Sequence, residues 1–226
     1  MARFRPVVVF DLDGTLADTA EDLLAAANAC FAARRLDAPL TMADAATAFQ
    51  GGRAMLRAGA ARLGLDPDAV AEADYRALLA YYAAHIDTHT RLYPGTLPML
   101  HALRDAGYVL AICTNKPEGL AQTLLTRLGI RDLFAALIGA DTLPTRKPDP
   151  APYLAAVAGA GGDPGGARSV LIGDTITDAL TARAVGVPVV LVGFGPEGRD
   201  VARHQPDAIL HHFDDLPGLI ARLLPA

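Results

Sequence analysis

The chain has 226 residues, enough for one sizeable hydrophobic core and one or two domains. With 52% hydrophobic and 20% charged residues it has the composition of a globular protein, and no apolar run approaches the roughly 20 residues of a membrane span. The net charge of −5, with Lys and Arg scattered, offers no basic surface for nucleic acid.

Met1 to Val7 holds too short an apolar run for a signal peptide before Asp11 interrupts it. The apolar residues Val7, Val8, Val9 and Phe10 predict a buried strand, and Asp11-Leu12-Asp13-Gly14-Thr15-Leu16 follows directly. Two carboxylates thus stand at the carboxyl end of a strand, where open α/β sheets build their sites. Alternation puts Asp11 and Asp13 on the same side, and two like charges in one place call for a cation or a shared proton. The pair predicts a metal site with a nucleophile or a general acid in it. The plain alternative for Asp13-Gly14 is a turn.

Four helices are expected next. Asp18 or Thr19 can cap the first, with an acid three residues on, and Leu23, Leu24, Ala27 and Phe31 recur at helical spacing up to Pro39. Thr41 to Asp44 opens a second that breaks at Gln50-Gly51-Gly52, and a third runs through Leu56 and Leu63 to Gly64. Asp66 caps the fourth with Pro67 in its first turn, and it continues through Tyr75, Leu78, Leu79 and Tyr82. No strand is predicted between residues 19 and 90.

From Tyr93-Pro94-Gly95 onward, strands expected at 109–113, 137–139, 170–172, 188–192 and 208–210 alternate with helices, which implies a parallel sheet with crossover helices. The fold class is therefore α/β, a parallel-sheet core of residues 1–17 and 92–226 interrupted by an all-helical insert of residues 18–91. Cys30 and Cys113 fall inside predicted elements without metal-ligand spacing and read as reduced core thiols, as in a cytoplasmic protein.

Three further motifs lie at or near strand ends. Thr114-Asn115-Lys116 follows 109–113, Lys147-Pro148-Asp149-Pro150 precedes a helix, and Gly173-Asp174-Thr175-Ile176-Thr177-Asp178 follows 170–172. Read singly, Thr114-Asn115 could cap a helix near Pro117, Lys147-Pro148 could be a solvated loop, and Asp178 could be an acid placed for a helix dipole.

Together with Asp-x-Asp-Gly-Thr-Leu, these runs resemble the four signatures of the haloacid dehalogenase superfamily, in that family's order, and most of its members are phosphatases. The resemblance covers essentially the whole chain. It implies a Rossmann-like core with a helical cap, and an aspartyl-phosphate mechanism that requires Mg²⁺. By the resemblance, Asp11 is the nucleophile and Asp13 the general acid and base. Thr114 holds the transferring phosphoryl and Lys147 neutralises its charge. The metal ligands are Asp11, the backbone carbonyl of Asp13, and Asp174, while Asp178 orients a metal-bound water. The partner is a small phosphorylated metabolite, and the chain a monomer or homodimer.

Within the superfamily, Thr114-Asn115-Lys116-Pro117, the insert length and the Tyr93-Pro94-Gly95 return resemble phosphoglycolate phosphatases, with Asn115 as a substrate-binding residue. Gln50 stands where many relatives have a glycine. Arg53, at the glycine-rich break, could clamp a substrate carboxylate or be an ordinary solvated arginine; Arg57 shares its face.

Rival readings follow from the same residues. A sugar-phosphate phosphatase or a β-phosphoglucomutase-like mutase keeps the signatures and differs in the cap. A dehalogenase does not need Asp13. Gly193-Phe194-Gly195-Pro196-Glu197-Gly198, with Asp214 beyond it, matches a dinucleotide fingerprint, against which Pro196 and Pro206 weigh. His85 with His89, and His211-His212 with Asp214-Asp215, read as solvated polar clusters in preference to zinc sites. A non-catalytic homologue is disfavoured by the intact acids and Lys147.

Overall fold

A computed structural model describes residues 4–224; residues 1–3, at the head of the segment read against a signal peptide, lie outside them. The strands are β1 (Val7–Phe10), β2 (Ala17–Asp18), β3 (Arg91–Leu92), β4 (Val109–Cys113), β5 (Ala136–Ile138), β6 (Ser169–Gly173), β7 (Val189–Val192) and β8 (Ala208–Leu210). Six of them form a parallel sheet in the order β5-β4-β1-β6-β7-β8. Every residue of β1, β4, β6 and β7 is buried, as expected of a parallel sheet covered on both faces.

The strand order reverses beside β1. From it the chain goes outward through β4 and β5, then returns to the other side for β6, β7 and β8. The crevice at such a reversal, outside the carboxyl ends of the strands, is where ligands bind in open α/β sheets. The register sets what faces it: Phe10 lies opposite Ile112 on one side and Ile172 on the other. The three central strands therefore end level, and the residues that follow them emerge at one edge.

The described chain divides into two compact units, Asp18–Arg91 and the remainder, residues 4–17 with 92–224. The first contains α1 (Ala20–Ala33), α2 (Ala45–Ala48), α3 (Gly52–Arg62) and α4 (Pro67–Ala84). A Cβ on Gly59 would stand 2.5 Å from the Phe31 ring, so the missing side chain lets α3 approach α1. Asp22, on α1, is buried and accepts from the backbone N–H groups of His89 and Thr90 at 2.9–3.0 Å and from the Thr90 hydroxyl at 2.8 Å. Asp44 is clasped by the Arg62 guanidinium, and Arg34 forms two 2.8 Å bonds to Asp74.

Of the two residues offered to cap α1, Asp18 accepts from Ala20 N at 3.2 Å, whereas Thr19 makes no side-chain cap; one local expectation changes. The helix expected from Thr41 is a 3₁₀ turn, Met42–Asp44, followed by only the four residues of α2. Its start is a capping box between Thr41 and Asp44, and the chain turns away at Gly51, with φ of 98°. Asp66 does cap α4, accepting from Asp68 N and Ala69 N. Strands β2 and β3, which pair with each other where the chain leaves and re-enters the sheet unit, were not anticipated.

The sheet unit holds α5 (Thr96–Asp105), α6 (Glu118–Arg127), α7 (Pro150–Gly159), α8 (Ile176–Val185) and α9 (Leu216–Leu223). Alternate strand residues Val7, Val9, Val109, Ala111, Leu171, Val189 and Leu191 form one buried cluster with Tyr153, Ala156 and Val157 of α7 and Ala179 and Ala182 of α8. The period of two along each strand thus builds the support beneath the carboxyl edge.

Candidate active site

Beyond β1 the backbone amides of Thr15, Leu16 and Ala17 all turn back to the Leu12 carbonyl, at 3.0–3.3 Å, with Gly14 at φ of 78°. This tight turn holds Asp11 and Asp13 at the sheet edge. Asp11 Oδ1 accepts from Leu12 N at 2.7 Å, and the Thr114 hydroxyl, leaving β4, bonds to the same carboxylate. Lys147 Nζ stands 3.1 Å from Asp11 Oδ2 and 2.6 Å from Asp178 Oδ1, with almost no solvent exposure.

From the end of β6, Asp174 accepts from the Thr15 hydroxyl at 2.9 Å. Asp178, one turn into α8, forms a capping box with Thr175: its Oδ2 accepts from the backbone N–H groups of Asp174 and Thr175 and from the Thr175 hydroxyl, at 3.0–3.2 Å. Both Asp178 oxygens are therefore bonded within the protein. The helix-start reading of this residue holds, and the same cap orients the oxygen that meets Lys147. A Cβ at residue 173 would fall 2.3 Å from Asp178 Cγ, which is why a glycine ends β6.

Thr114 and Asn115 are not the helix cap considered from sequence, since Pro117 occupies that position before α6. Asn115 Nδ2 donates to the Lys147 carbonyl at 3.0 Å, tying the end of β4 to the lysine loop. The sequence assigns Lys116 no role. Its buried ammonium donates to Asp13 Oδ1 at 2.8 Å and Oδ2 at 3.1 Å. The signal was available: Thr114 and Lys116 are two apart past a strand end, the same spacing that pairs Asp11 with Asp13. Thr15 and Thr175 were likewise not singled out.

The electrostatics are unbalanced. Burial pushes the Asp11 carboxyl up to about 6 despite the nearby Lys147 ammonium, with Asp178 adding to the rise. Asp174 is raised well above the ordinary carboxylate range, by burial first and then by Asp178 and Asp11. Burial alone would lower Lys147, but Asp11 and Asp178 outweigh it and hold the ammonium charged. One lysine does not neutralise three converging acids.

Oxygen atoms of Asp11, Asp174 and Asp178 lie within 4.8 Å of one another, and all three residues offer hard oxygen donors. Such a set suits Mg²⁺, which takes oxygen ligands and retains water. The excess negative charge and the donor chemistry both fit a divalent cation. Asp178, whose Oδ2 accepts three bonds while its Oδ1 takes the Lys147 ammonium at 2.6 Å, has the least capacity left for a cation.

The other sequence candidates take partners of their own. Arg53, on α3, donates to Glu72 Oε2 at 2.9 Å and the Ala71 carbonyl at 3.3 Å, and stacks 4.3 Å from the Tyr75 ring centre. Arg57 pairs with exposed Asp68 at 2.7 Å. His85 stacks on Tyr81, whereas His89 stands 3.4 Å from Glu21. The glycine run after β7 leads into a 3₁₀ helix, Gly198–His204, and not the α-helix that a dinucleotide fingerprint requires. Its Gly195 has another use: a Cβ there would stand 3.0 Å from the Gly14 carbonyl, so this loop packs on the turn that carries Asp13.

The family model for haloacid dehalogenase-like hydrolases matches residues 6–186. The chain is 43% identical over 224 residues to a phosphoglycolate phosphatase of Mesorhizobium japonicum, covering 97% of this chain and 96% of that one. It is 41% identical over 222 residues to a phosphoglycolate phosphatase of Agrobacterium fabrum, covering 97% and 94%. Among solved structures it resembles a predicted phosphoglycolate phosphatase from Haemophilus somnus, with a TM-score of 0.80 and 28% identity over 97% of this chain and 99% of that one. The chain belongs to the haloacid dehalogenase-like hydrolase family.

Proposed function

We propose that this protein is a phosphatase of small phosphomonoesters, using Mg²⁺ and an aspartyl-phosphate intermediate, with 2-phosphoglycolate as its substrate. The observation that carries the reaction is the gathering of Asp11, Asp13, Lys147 and Asp174 from separate segments to one sheet edge, with Lys147 against Asp11. The substrate is supported by the relatives named phosphoglycolate phosphatase at 43% and 41% identity.

In this reading Asp11 attacks phosphorus in line with the ester oxygen, splitting the hydrolysis into two easier transfers. The Thr114 hydroxyl and Lys147 hold the phosphoryl oxygens and offset their charge. Asp13 gives a proton to the departing glycolate oxygen, then takes one from the water that attacks the aspartyl-phosphate, a contribution of about 10²–10⁴-fold. Asp11, Asp174 and the Asp13 carbonyl would hold Mg²⁺, which when bound supplies positive charge to the phosphoryl group. Asp178 fixes Lys147 through their 2.6 Å contact and would orient a water on the bound Mg²⁺.

Residues 18–91 are the cap domain of this reading, and the rest the catalytic domain. We assign the enzyme to the cytoplasm, supported by two free, buried cysteines, and take it to act as a monomer or homodimer. The test is phosphate release from 2-phosphoglycolate beside sugar and nucleoside monophosphates, with Mg²⁺ and with EDTA. Selective, Mg²⁺-dependent release from phosphoglycolate is expected. Preference for another ester would discard the substrate, and release that survives Asp11→Asn would discard the mechanism.

A further inference from the structure

We propose that Lys116 determines specificity by binding the carboxylate of the substrate, beside the acid that protonates its leaving oxygen. The inference rests on the phosphatase reading above and adds the residue that recognises the leaving group.

Thr114 and Lys116 leave the end of β4 two residues apart and divide the site between them. The Thr114 hydroxyl meets Asp11, the attacking carboxylate, whereas the Lys116 ammonium meets Asp13, the proton donor, at 2.8 and 3.1 Å. The Lys116 side chain is only 3% exposed, and Asp13 is itself 17% exposed. Burying an ammonium is costly, and a lysine head is a point charge with three rotatable donors, able to turn from one anion to a second beside it.

The substrate's shape matches this pair. In glycolate the released oxygen and the carboxylate sit on adjacent carbons, within hydrogen-bonding span of each other. A donor at the leaving oxygen and a cation one hydrogen bond away therefore face both groups at once. An alkyl ester without the carboxylate would offer Lys116 only carbon, and a sugar phosphate only a neutral hydroxyl. Arg53, the sequence candidate for reading that carboxylate, pairs with Glu72, the Ala71 carbonyl and the Tyr75 ring.

The test compares kcat/KM for 2-phosphoglycolate and for ethyl phosphate, which has the same acyclic leaving group without the charge, in wild type, Lys116→Met and Lys116→Arg. The ratio of the two constants is independent of the fraction of folded enzyme, and Lys116→Gln replaces the methionine variant if that one does not fold. In Lys116→Met the preference for phosphoglycolate is expected to fall at least about tenfold, as for loss of a charge-assisted hydrogen bond, and Lys116→Arg to retain most of it. A parallel fall of both constants with an unchanged ratio would overturn the proposal and leave Lys116 as a support for Asp13. Wild-type enzyme with no preference for phosphoglycolate would overturn the substrate reading as well, before any variant is measured.

Discussion

The two compact units treat their buried acids in opposite ways. In the helical unit each such acid is answered: Asp22 takes its bonds from His89 and Thr90, and Asp44 is held down to about 2, chiefly by hydrogen bonds from Arg62. In the sheet unit Asp11 and Asp174 are driven upward, because burial and neighbouring acids outweigh the cations present. Satisfied charge makes a scaffold, whereas charge left unbalanced in a crevice marks where a ligand completes the structure.

The largest effect that would sharpen this contrast is on activity. Asp11→Asn should reduce phosphate release by about 10⁴-fold or more, as expected when a covalent nucleophile is removed. It should do so without loosening the metal-free fold, since it relieves a crowded charge; a thermal melt that falls with the activity would contradict that. Next is Asp22→Ala, which should lower stability by about 3 kcal/mol, because it strands the amides of His89 and Thr90 at about 1–3 kcal/mol each. Urea unfolding with no change of midpoint would refute the role given to Asp22. Arg62→Ala, which removes a half-exposed partner, should lower Tm less than Asp22→Ala does.

The smallest effect, and the most direct break of the comparison, is in pH. Asp44 is depressed in the fold, so its contribution is present above pH about 4 and fades as pH falls toward 2; in Arg62→Ala that acid sensitivity should shrink. Asp11 is raised to about 6, so the metal-free fold is relatively favoured below the ordinary carboxylate range and loses that advantage as pH rises through 6. Mg²⁺ needs the ionised form, so the rise in Tm it produces should grow between pH 5 and 7. A metal effect that is flat across that interval would show that Asp11 is not among its ligands.

The site was legible in the sequence wherever one short segment carried both an element and its chemistry. A strand of four apolar residues leading straight into Asp11 and Asp13 announces its position and its charge together. The parallel sheet was legible for the same reason: buried strands of Val, Leu and Ile, each set off by turn residues, leave little choice of face. What was not legible depends on partners far apart in the chain. Asp22 looks like an ordinary acid in a helix's first turn until Thr90 folds onto it, 68 residues later. Arg53 likewise meets partners, Glu72 and Tyr75, that only α4 brings to it. Strands β2 and β3 have two residues each, too short for any periodicity to register.

That short ribbon has a consequence for how such a molecule can change. Within the sheet unit Tyr93 N donates to the Leu16 carbonyl at 3.0 Å, and the Thr96 hydroxyl bonds to the same oxygen at 3.2 Å, so the chain departs and returns at one fastened point. An insertion held at such a gate adds no span to the sheet's own path, and the closure entropy of a loop grows only slowly with its length. Residues 18–91 are in this sense a replaceable module. Lineages, or a protein engineer, can lengthen, shorten or exchange it while the strand ends and their acids stay as they are.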